Sequence, residues 1–262
     1  MRSRNTKIKP KMRTLIDVCN VFKSFQVGVQ NIPVLKDVSF EVKERDFVII
    51  HGPSGCGKST LLYTLLGLEV PTGGFVYFFD TDFYKETNED QRAMMRKKHI
   101  GMVYQQSNWV KSLNVLDNVA LPLLLKGASQ QEARIQAVKM LQVVHMDQWA
   151  YYHPTELSSG QQQKVAVARA LITDPDIIVA DEPTGNLDYE SGMDVLHLLG
   201  DLNHLGKAVV MVTHDLEYLK YAKTIVKMKD GQIVEIYDES SKRNVSVEDQ
   251  CKKLERFCAV KK

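Results

Sequence analysis

Hydrophobic and polar positions change period several times along the chain, and each change predicts an element. Leu15–Val18 reads as a strand, and Val38–Val42 as another through strict alternation. Phe47–Ile50 is an unbroken apolar run, the pattern of a buried strand, and it runs into a glycine-rich turn. Ser59–Leu68 follows as a helix, closed by Gly67 near its end. Pro71-Thr72-Gly73-Gly74 marks a turn, and Phe75–Phe79 a further strand. From about Ser107 to Leu157 the pattern turns helical. Val115–Leu125 is apolar on most faces, and Ser129 is placed to cap a helix reaching about Val144. On that helix Ala133, Ala137, Met140, Leu141 and Val144 share one face.

Strand–helix alternation then returns. Ile177–Ala180 and Val209–Val212 read as strands, Ser191–Leu205 and Leu216–Ala222 as helices. Asp230-Gly231 between Ile225–Met228 and Ile233–Ile236 is a hairpin signal. Alternating strands and helices imply an α/β fold with a mostly parallel sheet and ligand chemistry at the strand C-termini. The central helical stretch reads as a lobe inserted at about 107–157. There is no internal repeat.

Both ends carry a different signal. Residues 1–14 hold Arg2, Arg4, Lys7, Lys9, Lys11 and Arg13, which suggests a solvated flexible tail or a weak contact with anionic lipid. After the domain at 15–237, residues 238–262 read as an amphipathic extension. Val247, Cys251, Leu254 and Cys258 recur at helical spacing, with Lys252, Lys253, Arg256, Lys261 and Lys262 around them. Such a helix packs on its own core or meets a partner or membrane surface.

Composition narrows the function classes. The 262 residues carry 34 Lys and Arg against 32 Asp and Glu, a balance that excludes a strongly basic nucleic-acid binder. The longest near-continuous apolar run, Val119–Leu125, is far short of the ~20 residues of a membrane span. No apolar segment follows the basic N-terminus, so no signal peptide is expected. Cys19, Cys56, Cys251 and Cys258 form no CxxC pair, which points to a reduced, cytoplasmic compartment.

The chemistry begins in the glycine-rich turn. Gly52-Pro53-Ser54-Gly55-Cys56-Gly57-Lys58-Ser59-Thr60 fits G-x-x-x-x-G-K-[ST] and stands between a strand and a helix, where that motif works. Glycines let backbone N–H groups turn toward a phosphate, and the helix N-terminus adds partial positive charge. Lys58 would reach the β- and γ-phosphates, and the Ser59 hydroxyl would bind Mg²⁺. At the end of another buried strand, Ile177–Ala180 leads into Asp181-Glu182. Asp181 can hold the Mg²⁺ shell, and Glu182 can orient or deprotonate water.

With these residues in view the chain resembles the ATP-binding-cassette (ABC) ATPases over about residues 15–237. Four more segments, in the family's order, carry the resemblance. Val103-Tyr104-Gln105 resembles the Q-loop, Leu157-Ser158-Ser159-Gly160-Gln161 the family signature, Asn186-Leu187-Asp188 the D-loop, and Val212-Thr213-His214-Asp215 the switch-histidine segment. The resemblance implies a P-loop NTPase (RecA-like) core, an antiparallel β subdomain and ATP with Mg²⁺ as cofactors. It gives Gln105 a place beside Mg²⁺ and water, and His214 a contact with the γ-phosphate. Ser158 and Gly160 would touch the γ-phosphate held by the opposite subunit. Ser159 departs from the usual LSGGQ, adding a hydroxyl and some backbone restriction. Phe25 is the choice for the ring that stacks on adenine. The Cys56 thiol, beside the phosphates, would be reachable by maleimide.

The resemblance also implies partners: a second ATPase subunit, as a homodimer or a pair of related cassettes, and separate transmembrane permease subunits. That location is the inner face of the cell membrane. Trp109, Val110 and Leu113 follow Gln105, with Trp109 either an exposed docking anchor or plain lobe core. Ala180–Asp188 and Asn118–Leu123 look like the group serving lipoprotein release, macrolide and peptide export, and cell-division signalling. The alternatives are an importer of the amino-acid or methionine type, or a soluble ABC ATPase without membrane partner. The 51 residues between Gln105 and Leu157 leave no room for the long coiled coils of DNA-repair relatives.

Overall fold

The computed structural model describes residues 12–238 and 243–245. Two sheets divide the chain. One holds β1 (Thr14–Val27), β2 (Gln30–Lys43), β4 (Gly73–Phe78) and β5 (Thr81–Asp82) in the order β2-β1-β4-β5, with every pair antiparallel. The other has the order β11-β10-β9-β3-β8-β7-β6. Its members are β3 (Phe47–His51), β6 (Ile100–Val103), β7 (Ile177–Asp181), β8 (Ala208–Thr213), β9 (Thr224–Lys229), β10 (Gln232–Asp238) and β11 (Arg243–Val245). From β9 to β6 all neighbours are parallel, and β10 and β11 close one edge antiparallel.

The unbroken apolar runs are explained by burial on both faces of this sheet. Phe47 and Ile49 point into one core, Val48 and Ile50 into another. The first core joins the sheet to the helical lobe and to α5 (Ser159–Leu171) and α6 (Tyr189–His204). The second joins it to α1 (Lys58–Leu65) and the antiparallel sheet. A parallel sheet covered in this way gathers the ends of β3, β7 and β8 at one rim.

The lobe contains α3 (Val115–Leu125) and α4 (Gln130–Val143), with short 3₁₀ turns after them. Ser129 caps α4 by accepting from the Glu132 amide at 3.2 Å. Ala133, Ala137 and Leu141 of α4 are buried, as is Val144 just past it, while Met140 is half-buried. A further helix, α2 (Glu89–His99), leads into β6 and is capped by Asn88.

Several bounds differ from the sequence reading, each for a local reason. β1 and β2 run on as a long hairpin through polar residues, because their backbones pair with each other. α6 begins two residues early, since Asp188 caps it by accepting from Ser191 N. Leu216–Tyr221 is a 3₁₀ helix. The hairpin at Asp230-Gly231 has positive φ at both residues, 51° and 82°, as a type I′ turn needs. Residues 1–11 of the basic tail, and the expected face of Val247, Cys251, Leu254 and Cys258, lie outside the described residues.

Candidate active site

The phosphate loop leaves β3 after His51 and turns through Gly55 and Gly57, whose φ values of 78° and 101° suit glycine. It is wedged in place. A Cβ on Gly52 would stand 2.3 Å from the Met228 carbonyl of β9. Nothing caps α1 with a side chain, and its first turn carries no acid, which leaves its leading amides for an anion. Lys58 is buried, and its ammonium donates to the carbonyls of Gly52 at 2.9 Å and Pro53 at 3.0 Å. A third donor remains for a phosphate oxygen. Pro53, Ser54, Gly55 and Ser59 are exposed along the loop, and Thr60 is half-buried.

Cys56 corrects the sequence expectation. It is 4% exposed, packed in the second core, and its carbonyl accepts from Gly231 N at 3.1 Å. The hairpin after β9 covers it, so the thiol is not open to reagents. His51 is half-buried at the strand end, and burial, then the charges of Lys227 and Lys58, push its pKa down.

The two acids stand at the end of β7. Burial, then the charge of Glu182, pushes Asp181 above the usual carboxylate range, while Lys58 pulls the other way. Glu182 adopts φ 43°, a left-handed backbone rare for a non-glycine residue, while its amide bonds the Val212 carbonyl of β8 at 3.0 Å. His214 follows β8, and its Nδ1 stands 3.3 Å from Glu182 Oε1. Gln105 is exposed just beyond β6, and a Cβ on Gly185 would come within 2.8 Å of its Nε2. The amide therefore lies against the turn after Glu182. Neighbouring parallel strands thus bring Asp181, Glu182, His214 and Gln105 together.

The signature segment opens α5. Ser158 accepts from Gln161 N at 3.3 Å, and Gln161 Oε1 accepts from Ser158 N at 2.9 Å, a reciprocal capping box. Ser158 and Ser159 are exposed, and Gly160 is buried. A Cβ on Gly160 would stand 2.6 Å from Ser191 Oγ. Ser191 in turn donates to Asp188 through its amide at 2.9 Å and its hydroxyl at 2.8 Å. These bonds hold the Asp188 carboxyl below its ordinary range. Sequence reading missed Ser191, although D-x-x-S is itself a cap pattern.

Phe25 pairs with Ile32 in the β1–β2 hairpin and is 36% exposed. The Lys23 ammonium sits 4.7 Å from its ring centroid and is anchored by Glu69 and the Val70 carbonyl. Trp109 falls between its two readings. It is half-buried against the lobe core, its indole N–H donates to Gln162 Oε1 at 2.9 Å, and Arg169 lies 4.4 Å over its ring.

The residues fit Mg²⁺ held together with a nucleotide. Among the described residues no group of three His, Cys, Asp or Glu could hold a metal alone. The donors here are a hydroxyl, Ser59, a carboxylate whose charge is costly as it stands, Asp181, and the Gln105 amide. Such sparse oxygen ligation suits a cation that keeps waters and phosphate oxygens.

A glycine-rich loop leading into an uncapped helix, with paired acids and a histidine at the neighbouring strand ends, fits a nucleotide hydrolase. The chain belongs to the ABC transporter family, whose model matches residues 35–185. It is 45% identical over 222 residues to an uncharacterized ABC transporter ATP-binding protein of Methanocaldococcus jannaschii, covering 85% of this chain and 99% of that one. It is 37% identical to the macrolide export ATP-binding/permease protein MacB of Shewanella oneidensis, again over 85% of this chain but 34% of MacB. Among solved structures, the dimeric ATP-binding cassette MJ0796, in a post-hydrolysis state bound to ADP and Pi, superposes with a TM-score of 0.79. That match is 38% identical and covers 88% of this chain and 100% of the other. The chain is an ATP-binding, ATP-hydrolysing cassette of the transporter type.

Proposed function

We propose that the chain pairs with a second cassette around two ATP·Mg²⁺ and drives separate membrane permease subunits, in export or mechanical signalling across the membrane. The observation that carries the hydrolytic part is the Glu182–His214 pair, 3.3 Å apart, beside the buried Lys58. The dimeric state of the MJ0796 cassette and the export role in the name of MacB support the rest. On this reading the chain works at the inner face of the cell membrane and has no nucleic-acid partner.

The residues divide the work. Loop amides from Gly52 to Thr60 and the Lys58 ammonium bind the phosphates, and Phe25 stacks on adenine. Ser59, Asp181 and Gln105 would hold Mg²⁺, which neutralises charge developing on the phosphates. Glu182 accepts a proton from the attacking water, and His214 bonds the γ-phosphate and fixes the Glu182 carboxylate. Ser158, Ser159, Gly160 and Gln161 present a helix N-terminus to the nucleotide of the partner subunit, and Asp188 sits at the same contact. Closure needs nucleotide because that helix end meets an anion only when ATP is there.

The test is Glu182→Gln. Turnover falls by about 10²–10⁴, the usual worth of a general base. ATP binding survives, and light scattering after gel filtration shows a mass moving from 29.8 kDa to twice that on ATP. Rapid turnover by the variant refutes the role of Glu182.

A further inference from the structure

We propose that Gln163 is a positioning residue for Gln105: a buried amide on the signature helix grips the backbone on both sides of Gln105 and sets where its side chain stands. This rests on the reading that Gln105 reaches ATP·Mg²⁺.

Gln163 lies in α5, five residues past Ser158, and is 3% exposed. Its Nε2 donates to the Tyr104 carbonyl at 2.9 Å, and its Oε1 accepts from Ser107 Oγ at 3.3 Å. The two contacts fall one residue before and two residues after Gln105. The ladder of β6 ends at Val103, so no strand pairing holds this stretch. Further along α5, Arg169 donates to the Ser107 carbonyl and, at 3.5 Å, to that of Asn108. Residues 104–108 are thus hung from α5.

Gln105 is exposed, with the turn at Gly185 on one side of its amide, so the backbone position of residue 105 sets where that amide meets the turn. The close approach of Gly185 leaves little tolerance. The Gln163 amide both donates to a carbonyl and accepts from a hydroxyl, and no other unbranched side chain of its length does both. A glutamate keeps the length and turns an acceptor toward the Tyr104 carbonyl. A methionine keeps the length and loses both bonds. The first turn of α5 is the Ser158–Gly160 segment, so the part that closes on the partner's nucleotide and the part that holds Gln105 form one unit.

The experiment uses the full chain with Gln163→Met, Gln163→Glu, Gln105→Ala and the Gln105→Ala/Gln163→Met double variant. It reads kcat, KM for ATP, melting temperature and amide exchange over residues 104–109. Gln163→Met lowers kcat about ten- to hundredfold with KM little changed, the scale of a misplaced catalytic group. Exchange over 104–109 rises while the melting temperature stays within a few degrees. The double variant is no slower than Gln105→Ala, because Gln163 acts through Gln105. Multiplying losses in the double, or unchanged exchange over 104–109, overturn the proposal. Should Gln163→Met not fold, Gln163→Glu is read in the same way. Full activity in Gln105→Ala sinks the underlying reading of Gln105 itself, so the two failures are told apart.

Discussion

Replacing Gly160 by Ala tests how the signature helix meets the start of α6. The added Cβ would stand 2.6 Å from Ser191 Oγ and 2.7 Å from Ser191 Cβ. Rotating Ser191 moves its Oγ but not its Cβ, so one helix must shift or remain strained. Overpacking of this kind costs about 1–3 kcal/mol. A displaced Ser191 hydroxyl also loses its bond to the exposed Asp188 carboxylate. Alanine recovers roughly 0.5–1 kcal/mol over glycine inside a helix. The overlap wins, leaving about 1–3 kcal/mol of destabilisation, or roughly a 3–10 °C fall in melting temperature for a chain of this length. ATPase activity falls with it, since the first turn of α5 moves. Circular-dichroism melts and steady-state ATPase assays of a double-mutant cycle check the cause. In a Ser191→Gly background the added methyl has room and costs little. In a Ser191→Ala background the clashing Cβ remains, so the part of the loss due to the Cβ overlap persists, while the part carried by the hydroxyl is already gone. A Gly160→Ala protein that melts and turns over like the parent refutes this packing, and so does equal relief by both Ser191 variants.

Other consequences follow from burial. Asp46 is buried beside Thr224, and desolvation pushes its pKa above the ordinary carboxylate range. Its contribution to stability is therefore full below about pH 4 and is lost as pH rises through the raised value. Asp46→Asn gains on the parent as pH rises over that window, and denaturant melts giving a pH-independent difference would contradict this. Asn118 is fully buried and bonds the Val110 amide and the carbonyls of Val110, Leu113 and Asn114. Asn118→Leu strands several of these groups and lowers unfolding free energy by about 2–5 kcal/mol, and a denaturation midpoint within error of the parent would count against it. With Cys251 and Cys258 replaced by serine, the folded protein reacts with a thiol reagent at least ~100-fold more slowly than the unfolded chain, since Cys19 and Cys56 are buried. Complete labelling within mixing time would show the phosphate loop to be open.

Much of the fold is legible in the sequence. Phe47–Ile50, Ile177–Ala180 and Val209–Val212 read as buried strands because a sheet covered on both faces admits only apolar side chains. The hairpin at Asp230-Gly231 was equally plain, because its turn type demands residues that tolerate positive φ. Long-range pairing was not legible. Polar residues such as Lys23, Gln26 and Gln30 carry no strand pattern, yet they extend β1 and β2 because each backbone has the other as its ladder partner.

For the site, local chemistry and tertiary placement divide cleanly. The sequence by itself determined the glycine-rich loop motif, the paired acids at a strand end and the Ser129 cap of α4, because each needs particular residue types at short, fixed spacing. Tertiary structure alone decided that His214 meets Glu182, that Gly160 meets Ser191, and that Gln163 holds the backbone around Gln105. It also decided that Cys56 is closed off by a hairpin some 175 residues further along. These contacts join segments far apart in the chain, and their distances follow from how strands order in a sheet and how helices stack on it. No period or spacing along one segment carries that information.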